Sequence, residues 1–212
     1  MIIKGFKKTY GNFVLEVDDM SFQTGKIYAI IGPNGSGKST LAKCIASITN
    51  ADENKTITDA NTAYLPSKGY PFNMSLKENI MLNTKDDNKV KELIDKLDLK
   101  QVENQNSKSL SAGQTAKMAL ARILVNNYDL LILDEPTASM DIKSTILAED
   151  IISSYSNNEN VIILITHSIA QAKRLADITI YMEDGKIIEI GETNIVLSKP
   201  QNPKTKTFLE FQ

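Results

Sequence analysis

The sequence predicts an α/β fold built around a parallel sheet, and three observations carry that expectation. Two short apolar runs, "LLIL" at 130–133 and "VIILI" at 161–165, have the length and flanks of strands buried on both faces. A glycine-rich loop, "GPNGSGKST" from Gly32 to Thr40, lies between a strand-like run and a segment of helical spacing. Amphipathic helical segments then occupy the middle of the chain, with strand-like units on either side.

Taken in order, residues 1–31 alternate strand-like runs ("FVLEV", "MSF", "KIYAII") with turn signals ("YGN", "TGK") and lead into the loop. From Ser39 the pattern "STLAKCIASI" has helical spacing, whereas "TNADENKTITDAN" is polar and predicts no element. "SLKENIML" and "NKVKELIDKLDL" read as amphipathic helices, and the stretch "LSAGQTAKMALAR" at 110–122 as a small-residue turn opening another. Three strand-like units follow, "DLLILDE", "NVIILITHS" and "ADITIYMEDGKIIEIGE", the last with a hairpin signal at Asp184-Gly185. The end of the chain, 199–212, reads as a polar, proline-containing tail.

The 212 residues, 42% of them apolar and 24% charged, can bury one sizeable core. The 24 basic and 26 acidic residues leave a formal charge of −2, so nucleic acid and anionic lipid are not expected partners. No apolar run approaches the roughly 20 residues that cross a bilayer, so no direct lipid insertion is expected and membrane contact has to pass through another protein. "MIIKGFKKTYGN" lacks the apolar stretch of a secretory signal, so a cytoplasmic location is expected. The lone Cys44, inside the apolar pattern "TLAKCIASI", reads as a packed core thiol.

The loop satisfies G-x-x-x-x-G-K-[ST] between strand and helix, the context that gives this motif its meaning. Gly32, Pro33, Asn34, Gly35, Ser36, Gly37, Lys38, Ser39 and Thr40 form a cradle in which backbone N–H groups and a helix N-terminus face phosphate oxygens. Lys38 reaches the β- and γ-phosphates, and the Ser39 hydroxyl is a Mg²⁺ ligand. "LLILDEPTASMD" ends an apolar strand in two adjacent carboxylates. Asp134 is suited to hold Mg²⁺ through its water shell, and Glu135 to polarise the attacking water as general base.

Ser111 and Gln114 have the spacing of a capping box, which starts a helix over 111–122 with N–H groups pointing outward, a second anion-binding end. One nucleotide needs only one cradle. With the loop, "LLILDE", "LSAGQ" (Leu110, Ser111, Ala112, Gly113, Gln114), "SMD" (Ser139, Met140, Asp141) and "THS" around His167 in this order, the chain resembles the nucleotide-binding subunit of ABC (ATP-binding cassette) transporters over nearly its whole length.

The resemblance implies a P-loop NTPase of the ABC-ATPase fold with a RecA-like core, a reduced antiparallel β subdomain and a short helical subdomain. It places the core at about 1–66 and 126–198 and the helical subdomain at about 67–125, with the tail at 199–212. It also implies that "LSAGQ", similar to the family's LSGGQ signature with Ala112 for the first glycine, closes over ATP held by a second subunit, and that 139–141 is the D-loop. Two cassettes, identical ones in the simplest case, would then share each hydrolytic site and drive an integral membrane permease. His167, the chain's single histidine, would hydrogen-bond the γ-phosphate and orient water and Glu135. Tyr10 resembles the adenine-stacking aromatic, with Phe6 and Phe13 as competitors.

Two features depart from the family pattern. Ser67 stands in "AYLPSKGYPF" where the family has a glutamine that contacts Mg²⁺ and the attacking water, and a serine is too short for direct contact unless water bridges. The interval from Lys38 to Ser67 is short, which predicts the trimmed β subdomain. Docking onto the permease is expected through about 67–82, with "YPFNM" as apolar surface or, equally, as core. The sequence leaves open the cargo and the direction of transport. A non-transport clamp in DNA repair or translation is the alternative function, and a small-molecule P-loop kinase a more distant one that leaves "LSAGQ" unexplained.

Overall fold

A computed structural model describes residues 1–52, 57–156 and 159–211, so the polar stretch without a predicted element lies partly outside them. In chain order the elements are β1 (Ile2–Ile3), β2 (Phe6–Tyr10), β3 (Phe13–Val17), β4 (Met20–Ser21), β5 (Lys26–Ile31), α1 (Lys38–Ile45), β6 (Thr62–Leu65), α2 (Leu76–Met81), α3 (Asp87–Lys96), α4 (Ala112–Leu124), β7 (Leu130–Asp134), α5 (Ile142–Tyr155), β8 (Val161–Ile165), α6 (Ile169–Leu175), β9 (Ile178–Glu183), β10 (Lys186–Glu192), α7 (Thr193–Ser198) and α8 (Pro203–Glu210).

The main sheet runs β10-β9-β5-β8-β7-β6. Strands β9, β5, β8 and β7 are mutually parallel, and β10 returns antiparallel to β9 through the predicted turn at Asp184-Gly185. Every residue of β7 and β8 is buried, as strands covered on both faces require. Along β5 the side chains alternate between two cores: Tyr28 and Ile30 join Leu41, Ile132 and Ile163, whereas Ala29 and Ile31 join Ala172 and Tyr181. Each of the isoleucine and leucine side chains contributes about 1.5–3 kcal/mol by leaving water. Cys44 belongs to the first core, and burial pushes its thiol above the ordinary range. Outside the main sheet, the antiparallel pairs among the described residues are β1 with β4 and β2 with β3.

The chain groups into two compact units, Met1–Tyr64 with Tyr128–Asp134 and Ser156–Gln212, and Leu65–Asn127 with Glu135–Tyr155. Residues 135–155 group with the helices because α5 packs on α4. The tail is not a loose extension: Asn202 caps α8, Pro203 occupies its first turn, and the Phe208 ring lies 5.0 Å from that of Tyr181. Helix α5 was not predicted because its apolar periodicity is poor, with Ile142 and Ile146 82% and 54% exposed.

In the second unit, Ser75 and Glu78 form a capping box on α2, and Asp86 caps α3. The Arg122 guanidinium of α4 donates to the Tyr70 carbonyl at 3.1 Å and lies 5.2 Å from the Phe72 ring. That contact shapes the segment after β6 while leaving Tyr70 and Phe72 exposed.

Candidate functional site

In the first unit, strand register brings three chemical elements to one end of the sheet. Ile30 of β5 pairs with Ile165 of β8, which pairs with Asp134 of β7. The glycine-rich loop begins two residues beyond Ile30, His167 lies two residues beyond Ile165, and Asp134 is itself the last residue of β7. They therefore lie at the carboxyl ends of three adjacent parallel strands about 4.8 Å apart, where open α/β sheets bind ligands.

The loop has the conformation its glycines allow. Gly32, Gly35 and Gly37 have φ of 148°, 81° and 101°, and a Cβ on Gly32 would collide with the Met182 carbonyl of β9. The Gly185 N–H of the β9–β10 turn donates to the Ser36 carbonyl at 3.0 Å, so the hairpin braces the loop. The buried Lys38 ammonium donates to the carbonyls of Gly32 and Pro33, both at 2.8 Å, which draws the start of the loop toward the first turn of α1. Ser36 Oγ is buried and has no hydrogen-bond partner among the described residues, an orphaned donor that a phosphate oxygen would satisfy. Ser39 and Thr40 are half-buried in the first turn of α1, and Asn34 and Gly35 are exposed.

Tyr10 stands 50% exposed at the tip of the β2–β3 hairpin, where Lys8, paired with Asp52 at 2.9 Å, holds its ammonium 5.2 Å from the ring. Its strand partner Phe13 is half-buried, and a Cβ on Gly37 would lie 2.9 Å from the Phe13 ring, so the hairpin abuts the loop. Phe6 is buried, which leaves Tyr10 as the most accessible of the three aromatics.

Asp134 is 2% exposed and accepts a hydrogen bond from the Tyr64 hydroxyl of β6 at 3.0 Å. Burial, and after it the negative charge of Asp134, pushes the Tyr64 phenol far above its ordinary range, so it remains a donor at any physiological pH. Asp134 and the Ser39 hydroxyl are hard oxygen donors, a set too small to cage a metal but suited to Mg²⁺ carried in by phosphates and water. His167 is exposed. With Gly32, Pro33 and Asn34 it lines a groove of about 660 Å³ that is also lined by Thr207 and Phe208 of α8.

The second unit holds the other predicted residues. Glu135 is half-buried with φ of 50°, a left-handed conformation that non-glycine residues seldom adopt and that aims its side chain differently from a continued strand. Ser111 accepts from the Gln114 N–H at 3.2 Å, and Gln114 Oε1 accepts from the Ser111 N–H at 2.9 Å, the full capping box at the start of α4. Leu110 precedes it in extended conformation. Ala112 is exposed, so the methyl group that departs from the family signature meets no packing objection. Gly113 lies against the 139–141 segment, where a Cβ would come within 3.1 Å of the Ser139 carbonyl oxygen. Met140 donates its N–H to Thr137, and Asp141 accepts from the Ser144 N–H at 2.7 Å, starting α5. Ser67 is exposed.

Three features were not anticipated: the Tyr64 hydrogen bond, the approach of Ser139 to Gly113, and the α8 wall of the groove. Each depends on which elements become neighbours, and the only local signal was an aromatic hydroxyl in "TAYL", the strand before the departure at Ser67.

A braced phosphate loop, a buried strand-end carboxylate and an exposed histidine at one sheet end define a P-loop nucleotide-binding protein. Residues 15–138 match the family described as ABC transporter. The chain is 33% identical over 231 residues to the molybdate/tungstate import ATP-binding protein WtpC of Methanocaldococcus jannaschii, covering 99% of this chain and 76% of that one. It is 34% identical over 207 residues to the tungstate uptake system ATP-binding protein TupC of Peptoclostridium acidaminophilum, covering 88% and 96%. A solved structure described as the ATP binding subunit of an ABC transporter superposes with a TM-score of 0.84 at 20% identity, covering 99% and 98%, and so shares the fold. The chain belongs to the ABC transporter family, as an ATP-binding subunit and ATPase.

Proposed function

We propose that this subunit hydrolyses MgATP at sites shared by two head-to-tail cassettes and uses the cycle to drive a separate membrane permease in an uptake system. The observation that carries the reading is the pairing of two anion-binding helix starts on one chain, the loop before α1 and the capped start of α4. A single ATP on its own loop has use for one of them.

In this mechanism the loop N–H groups and Lys38 bind the β- and γ-phosphates, and Ser39 and Asp134 are the residues that would hold Mg²⁺. The cation would supply neutralisation of phosphate charge. Glu135 accepts a proton from water as the water oxygen attacks the γ-phosphorus and the bond to the β-phosphate oxygen breaks. His167 donates to the γ-phosphate, and Tyr10 stacks on adenine. Ser111 to Gln114 and the 139–141 segment contact the ATP of the opposite cassette.

Uptake as the direction is supported by the import and uptake systems named for the relatives, and an oxyanion is the first cargo class to test. Exposed Tyr70 and Phe72, held by Arg122, offer the apolar surface expected for the permease contact, so the cytoplasmic face of the membrane is its working place. Among the described residues no helix is long and apolar enough to cross a bilayer. The test is to purify tagged Glu135→Gln protein from its native membranes with ATP present. Recovery of an integral membrane protein with several spans supports the reading; recovery of cytosolic or nucleic-acid partners alone overturns it.

A further inference from the structure

Tyr64 is the last residue of the first unit before the chain leaves β6, and its hydroxyl crosses to the neighbouring strand β7. There it donates at 3.0 Å to Oδ2 of Asp134, a contact between residues 70 positions apart. The ring is half-buried against the first core, so packing holds it in place from behind. A phenol anchored at the ring end and donating at the hydroxyl end restrains rotation of the carboxylate about its last bond, and engages one of its two oxygens. The other oxygen is the one available to accept from metal-bound water.

We infer that Tyr64 is a positioning residue for the metal site: its hydroxyl orients Asp134 so that one carboxylate oxygen is kept for Mg²⁺-bound water. The inference rests on the proposed metal role of Asp134. A partner that fixes a ligating or near-ligating carboxylate changes metal affinity by about 10–100-fold when removed.

The experiment compares wild type, Tyr64→Phe, Asp134→Asn and the double variant, all near-isosteric, in the full chain. Electron paramagnetic resonance of free Mn²⁺ measures the metal affinity of the ADP complex, and a fluorescent ATP analogue in EDTA measures metal-free nucleotide affinity. Tyr64→Phe is expected to bind nucleotide in EDTA like wild type and to lose about tenfold in Mn²⁺ affinity, with no further loss when added to Asp134→Asn. Wild-type Mn²⁺ affinity in Tyr64→Phe beside a large loss in Asp134→Asn overturns the role of Tyr64 and leaves the metal assignment standing. Losses that simply add in the double variant also overturn it, because Tyr64 then acts by another route. Wild-type affinity in Asp134→Asn overturns the metal assignment and this inference with it.

Discussion

A Cβ placed on Gly113 would lie 3.1 Å from the carbonyl oxygen of Ser139, so the start of α4 and the segment before α5 are in close backbone contact. A methyl group there forces the Ser139 carbonyl to yield by a few tenths of an ångström, and a branched side chain forces more. In the proposed dimer both segments face the opposite cassette, so their relative placement matters for hydrolysis and not for ATP capture by the loop before α1. Gly113→Val is expected to lower steady-state ATPase activity severalfold, Gly113→Ala less, with fluorescent-ATP affinity unchanged. Wild-type turnover in Gly113→Val would show that the contact has no bearing on the site.

The exposed Ser67 gives a second prediction. In the proposed mechanism a glutamine at this position supplies the amide that the family pattern has there, so Ser67→Gln should raise the ATPase rate at saturating Mg²⁺. An exposed position tolerates the longer side chain, which keeps folding out of the comparison. An unchanged rate, measured as phosphate release, counts against the idea that this departure weakens organisation of the attacking water.

The second unit contains a pH-dependent element. Hydrogen bonds from Lys77 and then Lys91 hold the Asp87 carboxyl at about 2, below its ordinary value. Between the two values the unfolded chain binds more protons than the folded one, so stability rises with pH. The contribution is present above about pH 4 and is lost as pH falls through about 2. Asp87→Asn should therefore melt slightly below wild type near neutral pH, with the gap closing in acid and shrinking in high salt because all three groups are solvent-accessible. A gap that persists at the lowest pH would show that the effect does not come from the carboxylate charge.

Much of this arrangement was legible in the residues because it is local. The β5–loop–α1 unit carries its own spacing, Ser111 and Gln114 announce the start of α4, and Asp184-Gly185 announces a hairpin. What escaped was set by neighbours in space. Helix α5 leaves Ile142 and Ile146 in solvent, which blurs the period that would reveal it. Helix α8 owes its place to Phe208 against Tyr181, on a strand some 25 residues earlier in the chain. Tyr64 meets Asp134 only because β6 lies next to β7, and strand order cannot be read from a single strand.

The measurement that bears most directly on the account is turnover and assembly of Glu135→Gln with ATP and Mg²⁺, followed by phosphate release and light scattering, with Lys38→Ala as the control that cannot hold nucleotide. Removal of the general base should slow phosphate release by roughly 10²-fold or more while ATP still binds, and an ATP-dependent dimer should accumulate. Turnover equal to wild type would contradict the assignment of Glu135, and tight ATP binding with no dimer would contradict sites shared between two cassettes.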